Sequence, residues 1–152
     1  MKLLWILFVG LMLFVLYAQR CIQGKHDFQV IQLELSQITD ETLREKYPIY
    51  IEDRVVSLND VVSSMFKYSY IKRKNTKITG DVPHLSFSKY AIIHNTFDTE
   101  ITVMLKNKSE TVEFIIEPDR ILVVPYRWEF TLDRTIVVVE LWDIIHWVFQ
   151  KW

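Results

Sequence analysis

The N-terminal segment constrains the fold more than any other part of the sequence. Leu3 to Ala18 reads LLWILFVGLMLFVLYA and contains no charged residue. As a helix rising about 1.5 Å per residue, these residues would extend for about 24 Å, slightly less than a hydrocarbon core of roughly 30 Å. Lys2 and Arg20 flank the run and can lengthen it by snorkelling. A segment that is apolar on every face is not expected in a soluble core. We therefore predict a single-pass transmembrane anchor.

The predicted anchor has aromatic residues near both ends. Trp5 and Tyr17 stand where an aromatic belt would place them at the two membrane surfaces. The apolar residues Leu3, Leu11 and Leu16 represent the start, the middle and the end of the run. We expect this helix to localise the protein to a membrane and to make lipid its first partner.

Two alternatives concern the end of this segment. A cleaved signal peptide would place Leu16 where a small residue should precede cleavage after Ala18, so an uncleaved anchor is favoured. Cys21 follows the apolar run and could be acylated, although a free cysteine at the boundary is the simpler interpretation.

The remaining chain has the size of one domain. We assign residues 1–24 to the anchor and a linker, and residues 25–152 to a single domain. The net charge of −1 gives no electrostatic reason to expect nucleic acid as a partner. The single cysteine excludes an intramolecular disulfide and a cysteine-based zinc site.

The first half of this domain mixes strands with short helices. Alternation over Phe28–Leu35 and the run Pro48–Glu52 predict strands. Thr39–Lys46 predicts a short helix with Thr39 as the N-cap, acidic residues in the first turn and basic residues in the last turn. Ser57 is the predicted N-cap of a second helix. Lys67–Ile78 predicts a strand that runs into a loop.

The second half predicts a β meander closed by a helix. Turn residues separate six candidate strands, which are 90–94, 100–106, 111–117, 120–125, 128–132 and 135–140. Leu141–Trp152 predicts a C-terminal helix, because its apolar residues form one stripe. We expect Ile144, Ile145, Val148 and Phe149 to pack on the β domain, with an interfacial helix at a membrane as the alternative.

The order of these elements resembles small cupin-like relatives of the Jumonji-type oxygenases. The similarity is greatest over Glu117 to Phe130 (EPDRILVVPYRWEF), which resembles the family's later motif. The resemblance implies a mainly β fold with short helices, a cupin-like jelly roll or β-barrel. The chain also resembles membrane-tethered domains encoded by large DNA viruses, which would make it a virion or host-membrane component.

The metal ligands that the resemblance implies are not in place. The family binds its metal with His-x-His or His-x-Asp/Glu from early strands and one later His, and Phe130 occupies that later position. His94 is followed by a carboxylate only at Asp98, four residues on. We therefore expect no metal, no cofactor and no catalytic residues. An unconventional metal site of His94, Asp98 and His84 in an oxygenase is the alternative.

The sequence thus predicts a non-enzymatic, membrane-anchored scaffold or interaction domain with another protein as its partner. Asn107-Lys108-Ser109 is an N-glycosylation sequon at a predicted hairpin tip, and it matters only if the domain is lumenal.

Overall fold

The computed structural model describes residues 2–22, 28–55, 57–108 and 110–149, with the side chains of residues 2, 3, 21, 22 and 149 left out. The predicted linker, Gln23 to Asp27, and the last three residues therefore lie outside the described part of the chain. Within the described residues the architecture is mainly β, with two sheets and four α-helices. The helices are α1 (Lys2–Ile22), α2 (Asp40–Arg44), α3 (Leu58–Met65) and α4 (Ile144–Phe149).

The ten strands divide between a six-stranded and a four-stranded sheet. The larger sheet has the order β1-β2-β8-β5-β10-β3 and the smaller has the order β4-β9-β6-β7. The strands are β1 (Ile31–Leu33), β2 (Ile49–Ile51), β3 (Lys72–Ile78), β4 (His84–Leu85), β5 (Tyr90–His94), β6 (Ile101–Asn107), β7 (Glu110–Ile116), β8 (Ile121–Pro125), β9 (Glu129–Leu132) and β10 (Ile136–Trp142).

The last eight strands pair in a nested order. The hairpin β6–β7 lies at the centre, β5 pairs with β8, β4 pairs with β9, and β3 pairs with β10, all antiparallel. The chain from β3 to β6 and the chain from β7 to β10 are thus the two sides of one long ribbon. Additional pairs, β10 with β5 and β6 with β9, close the rolled ribbon into two facing sheets.

Two apolar layers hold the domain together. The first lies between the sheets and contains the fully buried rings of Trp128 and Phe130. The second lies between the outer face of the larger sheet and the short helices, where Val62 and Phe66 of the α3 region cover Ile92 of β5. Burial of a large apolar side chain stabilises the fold by about 1.5 to 3 kcal/mol.

Helices α2 and α3 begin as the sequence predicts. The Thr39 hydroxyl accepts a hydrogen bond from the amide of Thr42, and the Ser57 hydroxyl accepts one from the amide of Asp60. Each hydroxyl satisfies a backbone donor that the first helical turn leaves without a partner. Both predicted N-caps are therefore confirmed.

The predictions at the two ends of the β region need correction. The stretch Lys67–Ile78 has the reverse of the predicted order, because a turn comes first and strand β3 follows at Lys72–Ile78. His84 lies outside every predicted strand, but it forms the two-residue strand β4 with Leu85. The helix predicted over Leu141–Trp152 begins only at Ile144, because Leu141 and Trp142 continue strand β10 and pair with β3.

The prediction that helix α4 packs on the β domain is mostly wrong. Ile145 is buried, but Ile144 and Val148 are 57% and 41% exposed, and the side chain of Phe149 is not described. Trp147 is also about half exposed. Most of the described apolar surface of α4 thus faces away from the core.

The N-terminal run is helical as predicted, within α1. All residues from 4 to 17 are exposed, and Ala18 is the first buried residue of the helix. Within the part of the chain whose placement is described, no helix combines the length and the apolar character needed for a membrane crossing. The transmembrane span stays a prediction.

The fold leaves no room for a side chain at Gly80, in the turn after β3. A Cβ atom at this position would lie 2.7 Å from the backbone Cα of Arg134, which is closer than side chains pack. Gly80→Ala should lower the free energy of unfolding by about 1 to 3 kcal/mol, because the backbone must move. Chemical denaturation of the full chain in detergent measures the difference.

Gly10→Ala is the matched control, since nothing lies within 4 Å of the new methyl group and alanine favours helix. Equal unfolding free energies for Gly80→Ala and the unchanged protein would contradict the close approach of the two turns.

Candidate functional site

The position that the family resemblance assigns to a metal lies between the two sheets. His84 on β4 and Phe130 on β9 are directly paired, and their ring centroids are 5.1 Å apart. Phe130 is fully buried, whereas the His84 side chain is 27% exposed at the edge of the interior. A hydrocarbon ring thus packs beside the one histidine that faces this space among the described residues.

Glu140 is the buried carboxylate of this interior, and it is not among the site residues predicted from the sequence. The Thr76 hydroxyl donates a 2.5 Å hydrogen bond to Oε2 of Glu140. Nε2 of His84 lies 3.4 Å from Oε1 of Glu140, an ion-pair distance without the alignment of a hydrogen bond. Ile136 and Val138 share the inward face of β10 with Glu140, so two-residue alternation along this strand was the available signal.

The environment of Glu140 favours its charged form. Burial alone would raise the pKa of Glu140, but the contacts with His84 and Thr76, together with the charge of Lys74, outweigh burial and lower this pKa. The structure therefore holds a carboxylate inside the sandwich through polar partners on β3 and β4.

The three residues of the alternative metal site do not converge. His84 faces the interior, whereas His94 on β5 points to the opposite face of its sheet, because Ala91 and Ile93 take the inward positions. Asp98 is exposed in the loop between β5 and β6. No group of three or more His, Cys, Asp or Glu side chains within the described residues is arranged to hold a metal ion.

His94 instead belongs to a groove of about 640 Å³ on the outer face of the larger sheet. Burial lowers the pKa of His94, and the backbone of Val55 and the charge of Asp119 oppose that shift only in part. Arg73 on the neighbouring edge strand donates a 2.8 Å hydrogen bond to Asn59 at the start of α3. These contacts tie helix α3 to the sheet.

A second histidine site lies at the start of helix α4. Oδ1 of Asp143 accepts a 2.8 Å hydrogen bond from the amide of His146 and lies 2.6 Å from the Nδ1 atom of its ring. Burial would raise the pKa of Asp143, but the side chain and the amide of His146 lower it. Asp143 thereby caps α4, and no sequence motif singled out this pair.

The residues predicted for membrane and sugar attachment have separate locations. Trp5, Leu11, Leu16 and Tyr17 are exposed along α1, and the side chain of Leu3 lies outside the described residues. Asn107 ends strand β6, at the predicted hairpin tip. Ser109, the last residue of the sequon, is outside the described part of the chain.

Comparison with known proteins does not assign a role to these residues. No protein-family model, no curated protein sequence and no solved structure matches the chain.

The buried carboxylate predicts a pH-dependent stability. Because the folded state lowers the pKa of Glu140, its contribution is fully present above the unfolded value of about 4.5. That contribution is lost as the pH falls through the lower, folded value. Glu140→Gln should therefore destabilise the domain at pH 7 by about 1 to 3 kcal/mol, and by less near pH 3. Denaturant titrations at both pH values measure the two differences.

Glu110→Gln, on an exposed position of edge strand β7, is the control and should change stability by less than about 0.5 kcal/mol. A destabilisation by Glu140→Gln that is the same at pH 3 and pH 7 would contradict the assigned role of the carboxylate.

A second prediction concerns metal content. We expect the purified full chain to contain no stoichiometric iron, zinc or manganese, because Phe130 offers no ligand atom beside His84. Elemental analysis measures this directly. One bound metal per chain that is lost on His94→Ala would contradict the prediction and support the oxygenase alternative.

Proposed function

We propose that the protein is a non-enzymatic, membrane-anchored interaction domain, held at a membrane by helix α1. One observation carries this proposal. All residues from 4 to 17 are exposed, so large apolar side chains point outward on every side of the helix. A contiguous apolar surface of this size is not stable in water and needs a cover. The neighbouring β domain buries only the last part of the helix, around Ala18.

The dimensions and ends of α1 support a lipid cover. The apolar run would extend for about 24 Å, which leaves a mismatch of roughly 6 Å with an average hydrocarbon core. Local thinning of the bilayer and snorkelling of Lys2 and Arg20 can remove such a mismatch at modest cost. Trp5 and Tyr17 are positioned for the two interfaces.

We also propose that the β domain is a cupin-like jelly roll that serves as a scaffold. The nested pairing of β3 through β10 is the pattern obtained by rolling one long antiparallel ribbon, which supports this fold. Phe130 fills the place where the resemblance implies a metal-binding His. The alternative oxygenase site has no supporting geometry, since His94 and His84 lie on opposite sides of a sheet.

The edges of the sheets suggest how a partner protein could bind. Strand β7 is an edge strand that pairs with β6, and its side chains Val112 and Ile115 are partly exposed. Such an edge offers backbone donors and acceptors to an added strand. The edge strand β3 disfavours such an added strand, because four of its seven residues are Lys or Arg. These charges would repel another basic strand.

The anchor proposal is tested by charges in the middle of α1. Val9→Arg combined with Leu11→Arg should move the protein from the membrane fraction to the soluble or aggregated fraction. Each charge at the centre of a membrane helix costs roughly 2.5 to 3.5 kcal/mol on insertion scales. Flotation of cell membranes in a density gradient, after a carbonate wash, measures the shift.

The matched control is Val112→Arg combined with Val137→Arg, which adds the same charge at two exposed positions of the β domain. This variant should float like the unchanged protein. Flotation of the α1 variant at the level of the control, or a mature chain that begins after Ala18, would contradict the proposed anchor.

A further inference from the structure

A cavity of about 540 Å³ lies where helix α1 meets the β domain. Six parts of the chain line it: the end of α1, the α2 region, the turn before β3, the start of β5, the end of β8 and the start of α4. Residues that are far apart in sequence thus meet beside the last turn of the proposed anchor. Lys46 also donates a 2.8 Å hydrogen bond to the backbone carbonyl of Arg20, which fixes the end of α1 at the rim.

The lining of this cavity is predominantly basic. Four basic residues, Arg20, Arg44, Lys46 and Lys89, face two acidic ones, Asp40 and Asp143. The charge of Asp143 is already engaged, because His146 contacts it through the ring and the amide, and Nζ of Lys89 lies 3.8 Å away. The cavity therefore retains an excess of positive charge.

The guanidinium groups of Arg20 and Arg44 have N–H donors that a ligand could use. Among the described residues, neither guanidinium group forms a hydrogen bond or an ion pair, and both side chains are exposed at the cavity. A guanidinium group presents a planar set of donors that matches phosphate and carboxylate oxygens. Lys89 is held in place by a 3.2 Å hydrogen bond to the carbonyl of Ser69 and has further donors.

The apolar surface beside the cavity favours a lipid over a free anion as the ligand. Ile144, Trp147 and Val148 of α4 are exposed next to the cavity wall formed by Asp143 and His146, and α4 contacts α1. Exposed tryptophan and aliphatic side chains beside basic groups suit the interface between headgroups and acyl chains. An anion that carries an acyl chain would use both surfaces, whereas a free phosphate would use only the basic one.

We propose that this cavity binds the phosphate group of an anionic phospholipid in the membrane that holds α1. The proposal rests on the membrane anchoring proposed above. The guanidinium groups of Arg20 and Arg44 neutralise the headgroup, Lys89 offers it a further N–H donor, and α4 contacts the adjoining acyl chains. Lipid binding would then fix the domain against the membrane surface rather than leave it tethered by α1 alone.

The experiment uses the full chain in a neutral detergent and soluble short-chain lipids. The midpoint of thermal unfolding is recorded as dihexanoyl phosphatidic acid, dihexanoyl phosphatidylcholine or inorganic phosphate is added, because a ligand of the folded state raises this midpoint. Phosphatidic acid should act at concentrations at least tenfold lower than the other two. Arg44→Glu should raise the concentration needed at least tenfold, and Arg44→Gln should raise it less.

Arg54→Glu is the matched control, since it changes the net charge equally at an exposed arginine outside the cavity. Its response should equal that of the unchanged protein, and the midpoint without ligand reports whether each variant folds. Equal potency of inorganic phosphate or phosphatidylcholine would overturn the assignment, as would equal losses for Arg44→Glu and Arg54→Glu. Because no bilayer is present, this titration can fail while the flotation of α1 succeeds, so the two proposals are tested separately.

Discussion

Nested strand pairing is the constraint on which the rest of the structure depends. Each strand from β3 to β6 has its partner among β7 to β10, and the pairs are ordered around the β6–β7 hairpin. Rolling this ribbon places alternate residues of every strand between the two sheets. Trp128 and Phe130 fill that space, and their burial makes the pairing register costly to change.

The same constraint explains why the N-terminal helix remains uncovered. The space between the sheets is filled by side chains of the strands, and the outer face of the larger sheet is covered by α2 and α3. Both apolar layers are therefore occupied, and the apolar surface that stays exposed includes Ile144, Trp147 and Val148 of α4. The helix contacts the domain only near its end, where Ala18 is buried and α4 approaches. In the proposed arrangement, lipid covers this helix, and the basic cavity would lie at the membrane surface.

The sequence predicts best those elements that local patterns determine. Alternation and turn residues locate β5 through β9 to within about two residues, and Ser57 identifies the start of α3. The end of β10 was misassigned because Leu141 and Trp142 fit a helical stripe as well as a strand, and only pairing with β3 decides between them. Strand β4 is two residues long and exists through its pairing with β9, so no local signal marks it.

The candidate sites were harder to predict than the fold, for the same physical reason. Glu140, Thr76 and His84 meet only after the ribbon is rolled, and the basic cavity is lined by six separate segments.

Membrane attachment is the central claim, and a depth profile tests it most directly. With Cys21 replaced by serine, single spin labels would be placed at Leu11, Trp147 and Val112 in lipid bilayers, and their collisions with oxygen and a water-soluble nickel complex would be measured. We predict that the label at 11 is accessible mainly to oxygen, the label at 147 lies at the interface, and the label at 112 is accessible to nickel. Nickel accessibility at 11 equal to that at 112 would contradict the account.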